Sequence, residues 1–149
     1  TWQKWRTEEL WTIGCNDVLK ANLDGLNKLY KSLVAPRSKS KKVKIADACD
    51  LFAHDSGLKI SEKQCKYCFG MSKMTVVNEE WEAEKYDVLA FVEFLEMIGR
   101  VADMTFSDTD IAHEPLARRI EYVLDAILPL ADVERHDPVI EVIDETESD

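Results

Sequence analysis

One six-residue outline occurs twice in this chain, and it limits the possible folds more than any other feature. Val43-Lys44-Ile45-Ala46-Asp47-Ala48 runs apolar, polar, apolar, then an acid, then apolar again. Leu89-Ala90-Phe91-Val92-Glu93-Phe94 has the same outline, with Glu93 in the place of Asp47. In each copy a short β-like run turns directly into an amphipathic helix, and the acid sits at the turn. Two such copies in one chain predict a paired helix–loop–helix unit.

The rest of the chain reads as helices around that pair. Trp11, Cys15, Val18, Leu19, Leu23, Leu26, Leu29, Tyr30 and Leu33 recur at three- and four-residue spacing, which predicts one long helix over Glu8–Val34 with these residues on one face. Gly14 and Gly25 each cost roughly 1 kcal/mol against alanine, which leaves room for a bend in this helix. Pro36 stops the helix. Arg37 to Lys42 is a polar, basic, serine-rich loop, Val43 to Ile45 is extended, and Ala46–His54 is a short helix with Cys49 and Phe52 inward. Gly57 suits its stop.

Ser61 with Gln64 forms a capping-box pattern, which predicts a helix from Glu62 to Met74 that buries Cys65, Cys68 and Phe69. Val76 to Asp87 is irregular and carries Trp81. After the second extended piece, a helix over Val92–Met104 places Phe94, Leu95, Ile98 and Val101 inward. Ser107 to Asp110 is a turn, and Pro115 suits a first helical turn. Leu116, Ile120, Val123, Leu124, Ile127 and Leu128 stripe a final helix over Ala112–Leu128, which Pro129 ends. Beyond Pro138 the sequence is acidic and short of aromatics, and mobility is expected there.

With 149 residues and 46% apolar composition, the chain is sized for one domain with a real core. No apolar run approaches the ~18 residues of a membrane span. The N-terminus, Thr1-Trp2-Gln3-Lys4-Trp5-Arg6, is charged and aromatic, unlike a secretory signal, and lacks an initiator Met, as in a processed or trimmed chain. A formal net charge of −10 disfavours non-specific nucleic-acid binding. The charge is uneven: Arg37, Lys39, Lys41, Lys42 and Lys44 form a basic segment, and an acidic tail begins at Asp132. Four cysteines without a secretory signal predict reduced thiols and a cytosolic setting.

The repeated outline, on Leu89, Glu93 and Phe94 and more weakly on Val43, Asp47 and Ala48, resembles the EF-hand superfamily of calmodulin-like proteins in a degenerate form. The resemblance covers about residues 22–104. It implies an all-α fold in which two loops meet through a two-residue antiparallel ladder between Val43 and Leu89. Calcium in such a loop needs six to eight oxygens, from loop positions 1, 3, 5, 7, 9 and 12, with glycine at position 6. Counted back from Asp47, the first loop offers Pro36, Ser38, Ser40, the Lys42 carbonyl, Lys44 and Asp47, with Lys41 in the glycine place. Too few anionic oxygens are present, and the surrounding cations repel a metal. Counted back from Glu93, the second loop offers Glu82, Glu84, Tyr86, the Val88 carbonyl, Ala90 and Glu93, with Asp87 in the glycine place. Glu82, Glu84 and Glu93 are weak metal candidates, and Thr75 to Trp81 resembles an insertion. No cofactor is expected, and calcium is disfavoured in both loops.

More narrowly, Tyr67-Cys-Phe-Gly-Met-Ser-Lys-Met74 with the run Phe91 to Ala102 looks like the EF-hand-like modules of ciliary and flagellar axonemal proteins. That likeness implies a structural protein on doublet microtubules, with tubulin or axonemal proteins as partners, in the cytoplasm or a cilium. It carries no functional residues to matching positions here.

Other patterns are weaker. Cys65-Lys-Tyr-Cys68 could begin a zinc or redox site, with Cys15, Cys49, His54, His113 or His136 as scattered further ligands, or could simply be buried small groups. His54 near Asp50, Asp55 and Ser56 lacks a nucleophile–base–orienter trio, and no phosphate-cradling glycine loop occurs. Trp2, Trp5 and Trp11 read equally as partner anchors or as core. The basic segment, Arg37, Lys39, Lys41 and Lys42, reads as a contact for an acidic partner or as a solvated loop.

The expected organisation is an aromatic helical extension over residues 1–21, the hand pair over 22–104, a helix packing on the pair over 105–130, and an acidic tail over 131–149. The leading expectation is a non-enzymatic, calcium-independent structural or adaptor protein that binds proteins, and neither nucleic acid nor membrane. The alternative is a calcium-responsive regulator using Glu82–Glu93. An extra amphipathic helix also predicts a hand groove filled from within, with Ile120 and Leu124 buried.

Overall fold

The computed structural model describes residues 2–73 and 88–138, with the backbone alone at Trp2. The described residues are mainly helical, with one two-stranded antiparallel sheet among them. The helices are α1 (Trp2–Trp5), α2 (Ile13–Ala21), α3 (Leu23–Leu33), α4 (Ile45–Asp50), α5 (Glu62–Ser72), α6 (Phe91–Thr105) and α7 (Leu116–Ile127). Strands β1 (Val43–Lys44) and β2 (Val88–Leu89) pair with Val43 opposite Leu89.

The expected single helix over Glu8–Val34 is instead three pieces, and neither break falls at a glycine. Arg6–Leu10 is a π-helical turn that ends at Trp11, and Thr12 then caps α2, its hydroxyl accepting from the Cys15 N–H (3.4 Å). The second break is at Asn22. Its side chain donates to the Val18 carbonyl (2.8 Å) and to the His136 carbonyl (3.0 Å), and it accepts from the His136 N–H (2.7 Å). Asparagine here serves a distant strand of chain instead of the helical ladder. Each break shifts the helical phase. Trp11 and Leu23, expected on the buried stripe, are therefore 56% and 42% exposed, while Cys15, Val18, Leu26 and Leu29 stay inside.

The rest follows the sequence pattern with small shifts. α4 continues into a π-helical turn over Leu51–Asp55, and Gly57 follows it at φ 76°, a left-handed angle that suits glycine. Ser61 and Gln64 form both bonds of the capping box, at 3.1 and 2.9 Å, and α5 stops at Ser72. The final helix does not start at Ala112 as expected: Asp110–His113 is a separate 3-10 turn, Pro115 is extended at ψ 149° as the N-cap, and α7 begins at Leu116. Pro129 does not end the final helix outright. It sits early in a second 3-10 turn, Leu128–Ala131, which closes at Asp132 in the left-handed region.

The core lies between these helices. Phe52, Phe69 and Phe94 are fully buried, as are Leu26, Leu29, Ile98, Ile120 and Leu124. α7 packs against α6, α2 and the Leu51–Asp55 turn, and α3 packs against the Leu128–Ala131 turn. After that turn the chain folds back. Val133 lies against Gly25, where a Cβ would come within 2.5 Å of it. Arg135 joins Asp125 (2.7 Å), Glu121 and Asp137 (2.6 Å). No helix among the described residues is long and apolar enough to cross a membrane. The expected mobile tail beyond Pro138 and the irregular segment with Trp81 lie outside the described residues.

Candidate functional site

The paired loops are held by their ladder and by one phenol. Tyr30, near the end of α3, donates its hydroxyl to the Leu89 carbonyl at 2.7 Å. Its ring meets Phe91 edge-on at 5.4 Å and Phe94 at 5.7 Å. Burial pushes the phenol above its ordinary pKa. One residue thus ties the helix entering the first loop to the strand of the second.

The first loop keeps a defined shape without anionic ligands. Ser38 is buried and its hydroxyl lies 3.0 Å from that of Ser40, which also accepts from the Lys42 N–H (3.3 Å). Lys41 stands at φ 58°, in the left-handed region, at the place where the resemblance puts glycine. Arg37, Lys39 and Lys41 point outward, Lys42 is half-buried, and these four side chains and Lys44 make no ion pair among the described residues.

In the second loop, Glu93 is buried at the start of α6. Its Oε1 accepts from the Ala90 N–H at 2.8 Å, which caps the helix, and from the Lys73 ammonium at 3.2 Å. Lys73, at the end of α5, also donates to the Val88 carbonyl. Both side chains are 8% exposed. The Val88 carbonyl and the Glu93 carboxylate are the oxygens that the resemblance assigns to loop positions 7 and 12. One ammonium therefore bridges two atoms that a cation would bridge in a hand of that kind. Glu82 and Glu84, the other two metal candidates, lie outside the described residues. Among the described residues no three His, Cys, Asp or Glu side chains are grouped to hold a metal.

The tryptophans separate. Trp5 packs on this chain's own core, with the Arg100 guanidinium 4.4 Å from its ring and Gly99 beneath it. Trp11 is exposed, with the Arg6 guanidinium 5.9 Å from its ring. The side chain of Trp2 is outside the described residues. Between Trp5 and Trp11, Arg6 forms a buried ion pair with Glu96 (2.9 Å from Nη2 to Oε2), and Arg100 reaches the same oxygen at 3.0 Å. Glu96 is 3% exposed. Sequence reading missed this triad, because Glu96 and Arg100 at four-residue spacing look like an ordinary surface pair. A groove of about 810 Å³ opens beside it, lined by Trp5, Tyr67, Met71, Arg100, Met104 and Arg119. Arg119 is paired with Asp103 at 3.1 Å.

The cysteine and histidine patterns do not converge. All four cysteines are free and buried. Burial pushes the Cys65 and Cys68 thiols up to about 12, so both stay protonated at neutral pH. Cys68 donates to the Met104 thioether at 3.9 Å. His54 is exposed, and Glu62 lies 3.9 Å from its ring. His136 serves the structure through its backbone bonds to Asn22.

α7 presents Ile120, Val123, Leu124 and Ile127 inward, all with no exposed surface. The apolar face of α6 is therefore covered by the chain itself. Comparison with protein-family models, with curated proteins and with solved structures gave no match.

Proposed function

We propose that the chain is a non-catalytic structural or adaptor protein, built on a degenerate EF-hand pair whose shape does not depend on calcium. The observation that carries this reading is the Lys73 ammonium between the Val88 carbonyl and the Glu93 carboxylate. A cation bonded covalently to the chain cannot dissociate, so Val88 and Glu93 keep a resident cation whether or not an ion is supplied. The buried face of α7 supports the same reading. In a sensor, ion binding opens an apolar groove for a target helix; here α7 packs its apolar face on α6.

Partners in this account are other proteins, met through the exposed Trp11 and the cations of the first loop. Aromatic anchors supply affinity and charge supplies orientation. The likeness of residues 67–74 and 91–102 to axonemal modules favours a place on doublet microtubules. Sedimentation of the purified chain with salt-washed axonemes, in a calcium chelator, tests this. Binding that survives the chelator and weakens on Trp11→Ala is the expected result. Binding that appears only with calcium favours the alternative, a regulator using the Glu82–Glu93 loop.

A further inference from the structure

We propose that Ser40 is a phosphorylation site for a basophilic serine/threonine kinase, of the kind that selects arginine three residues ahead of its target. Arg37-Ser38-Lys39-Ser40 has that spacing, and Lys41 and Lys42 follow it. The loop between α3 and β1 carries the motif in an accessible form. Arg37, Lys39 and Ser40 are exposed, and neither cation is held in an ion pair among the described residues. Both can therefore enter acidic subsites of a kinase without breaking a contact of the fold.

The neighbouring candidates are less available. Ser38 lies one residue from the same arginine but is only 9% exposed. Thr7 follows Lys4 and Arg6, but the Arg6 side chain is buried against Glu96. Among the described residues Ser40 is tethered at its hydroxyl, by the 3.0 Å contact with Ser38 and the 3.3 Å bond from the Lys42 N–H. Within the loop the backbone closes one turn, from the Ser38 N–H to the Ala35 carbonyl at 2.9 Å. For the segment to extend into a kinase groove, that turn, the two contacts of the Ser40 hydroxyl and the burial of Ser38 have to open.

In the reaction, the γ-phosphoryl group of ATP passes to Ser40 Oγ. The new O–P bond forms as the bond to the bridging oxygen of the β-phosphate breaks. ADP leaves, and the hydroxyl proton goes to the catalytic aspartate of the kinase. The phosphoserine brings a charge of about −1.5 to −2 at neutral pH into a segment of five cations. Its oxygens can accept charge-assisted bonds from those same side chains. This inference does not depend on the EF-hand reading.

The folded full chain, incubated with ATP and the catalytic subunit of a cAMP-dependent protein kinase, gives the test. Intact mass should rise by one phosphoryl group, and fragmentation should place it on Ser40. Ser40→Ala should abolish incorporation, and Ser38→Ala should leave the initial rate nearly unchanged. Arg37→Ala should lower the rate by about tenfold, the worth of one charge-assisted contact. Arg37 and Ser40 are exposed and Ser38 is buried in the same loop, and circular dichroism will verify that the variants fold. No incorporation into the folded chain, or incorporation that persists in Ser40→Ala, overturns the proposal.

Discussion

Lys73→Met removes the ammonium that joins the second loop to α5, and keeps most of the side chain's length. The structure sets the size of the effect. Lys73 and Glu93 are each 8% exposed, so the pair is hardly screened by solvent. Breaking a buried pair from one side strands the other charge, at about 3–5 kcal/mol. The Val88 carbonyl also loses its donor, a further ~1 kcal/mol. The Ala90 N–H still bonds to Glu93 and offsets part of the loss. A net destabilisation of about 3 kcal/mol is expected, a shift of one to three molar in the urea midpoint for typical slopes of about 1–3 kcal/mol/M. Urea unfolding followed by circular dichroism measures it. Glu93→Gln, and the double variant, complete a cycle whose coupling should exceed about 1 kcal/mol. A Lys73→Met midpoint within the error of the parent would refute the reasoning, because an ammonium that holds the loop cannot be removed without cost.

Three further outcomes follow from burial. Leu124→Ala deletes three fully buried carbons in the face of α7 that meets the core; at about 0.8 kcal/mol per carbon plus a cavity term, the loss is roughly 3–4 kcal/mol, and half-exposed Leu130→Ala serves as the near-neutral control in the same urea assay. Tyr30→Phe leaves the Leu89 carbonyl without its side-chain donor and should cost about 1–2 kcal/mol with the ring packing intact, visible as a lowered thermal midpoint. For Cys65 and Cys68 the sign follows from thiols raised from 9.0 to about 12: the unfolded chain releases their protons first, so their contribution to stability is full below about pH 9 and declines as pH rises toward 12. A thiol reagent at pH 8 should find both unreactive until denaturant is added.

The ladder was legible through the EF-hand resemblance, which rests on two short local runs that each open a helix, and Val43 does face Leu89. The stripe Ile120-Val123-Leu124-Ile127 was legible from its local spacing, and those residues are buried. The misses are contacts between distant residues. Asn22 breaks the first helix because His136 lies beside it, 114 residues away in sequence, and nothing near Asn22 signals that. Arg6 meets Glu96 across 90 residues, so a charge that looks solvated in sequence is buried in the fold. Lys73 falls in the predicted helix Glu62–Met74 and in the motif resembling axonemal modules, and neither signals a partner for its ammonium. Its role at Val88 and Glu93 emerges only once the ladder brings α5 and β2 together. Arg135, in a segment that reads as plain acidic tail, gathers three carboxylates and holds that segment to α7.

A calcium titration by calorimetry, with magnesium as control and circular dichroism in parallel, bears most directly on the resident-cation account. With Lys73 already seated between Val88 and Glu93, the chain should show no saturable calcium heat at micromolar concentrations, and its helical signal should not change. Micromolar calcium binding accompanied by a rearrangement of the helices would contradict the account.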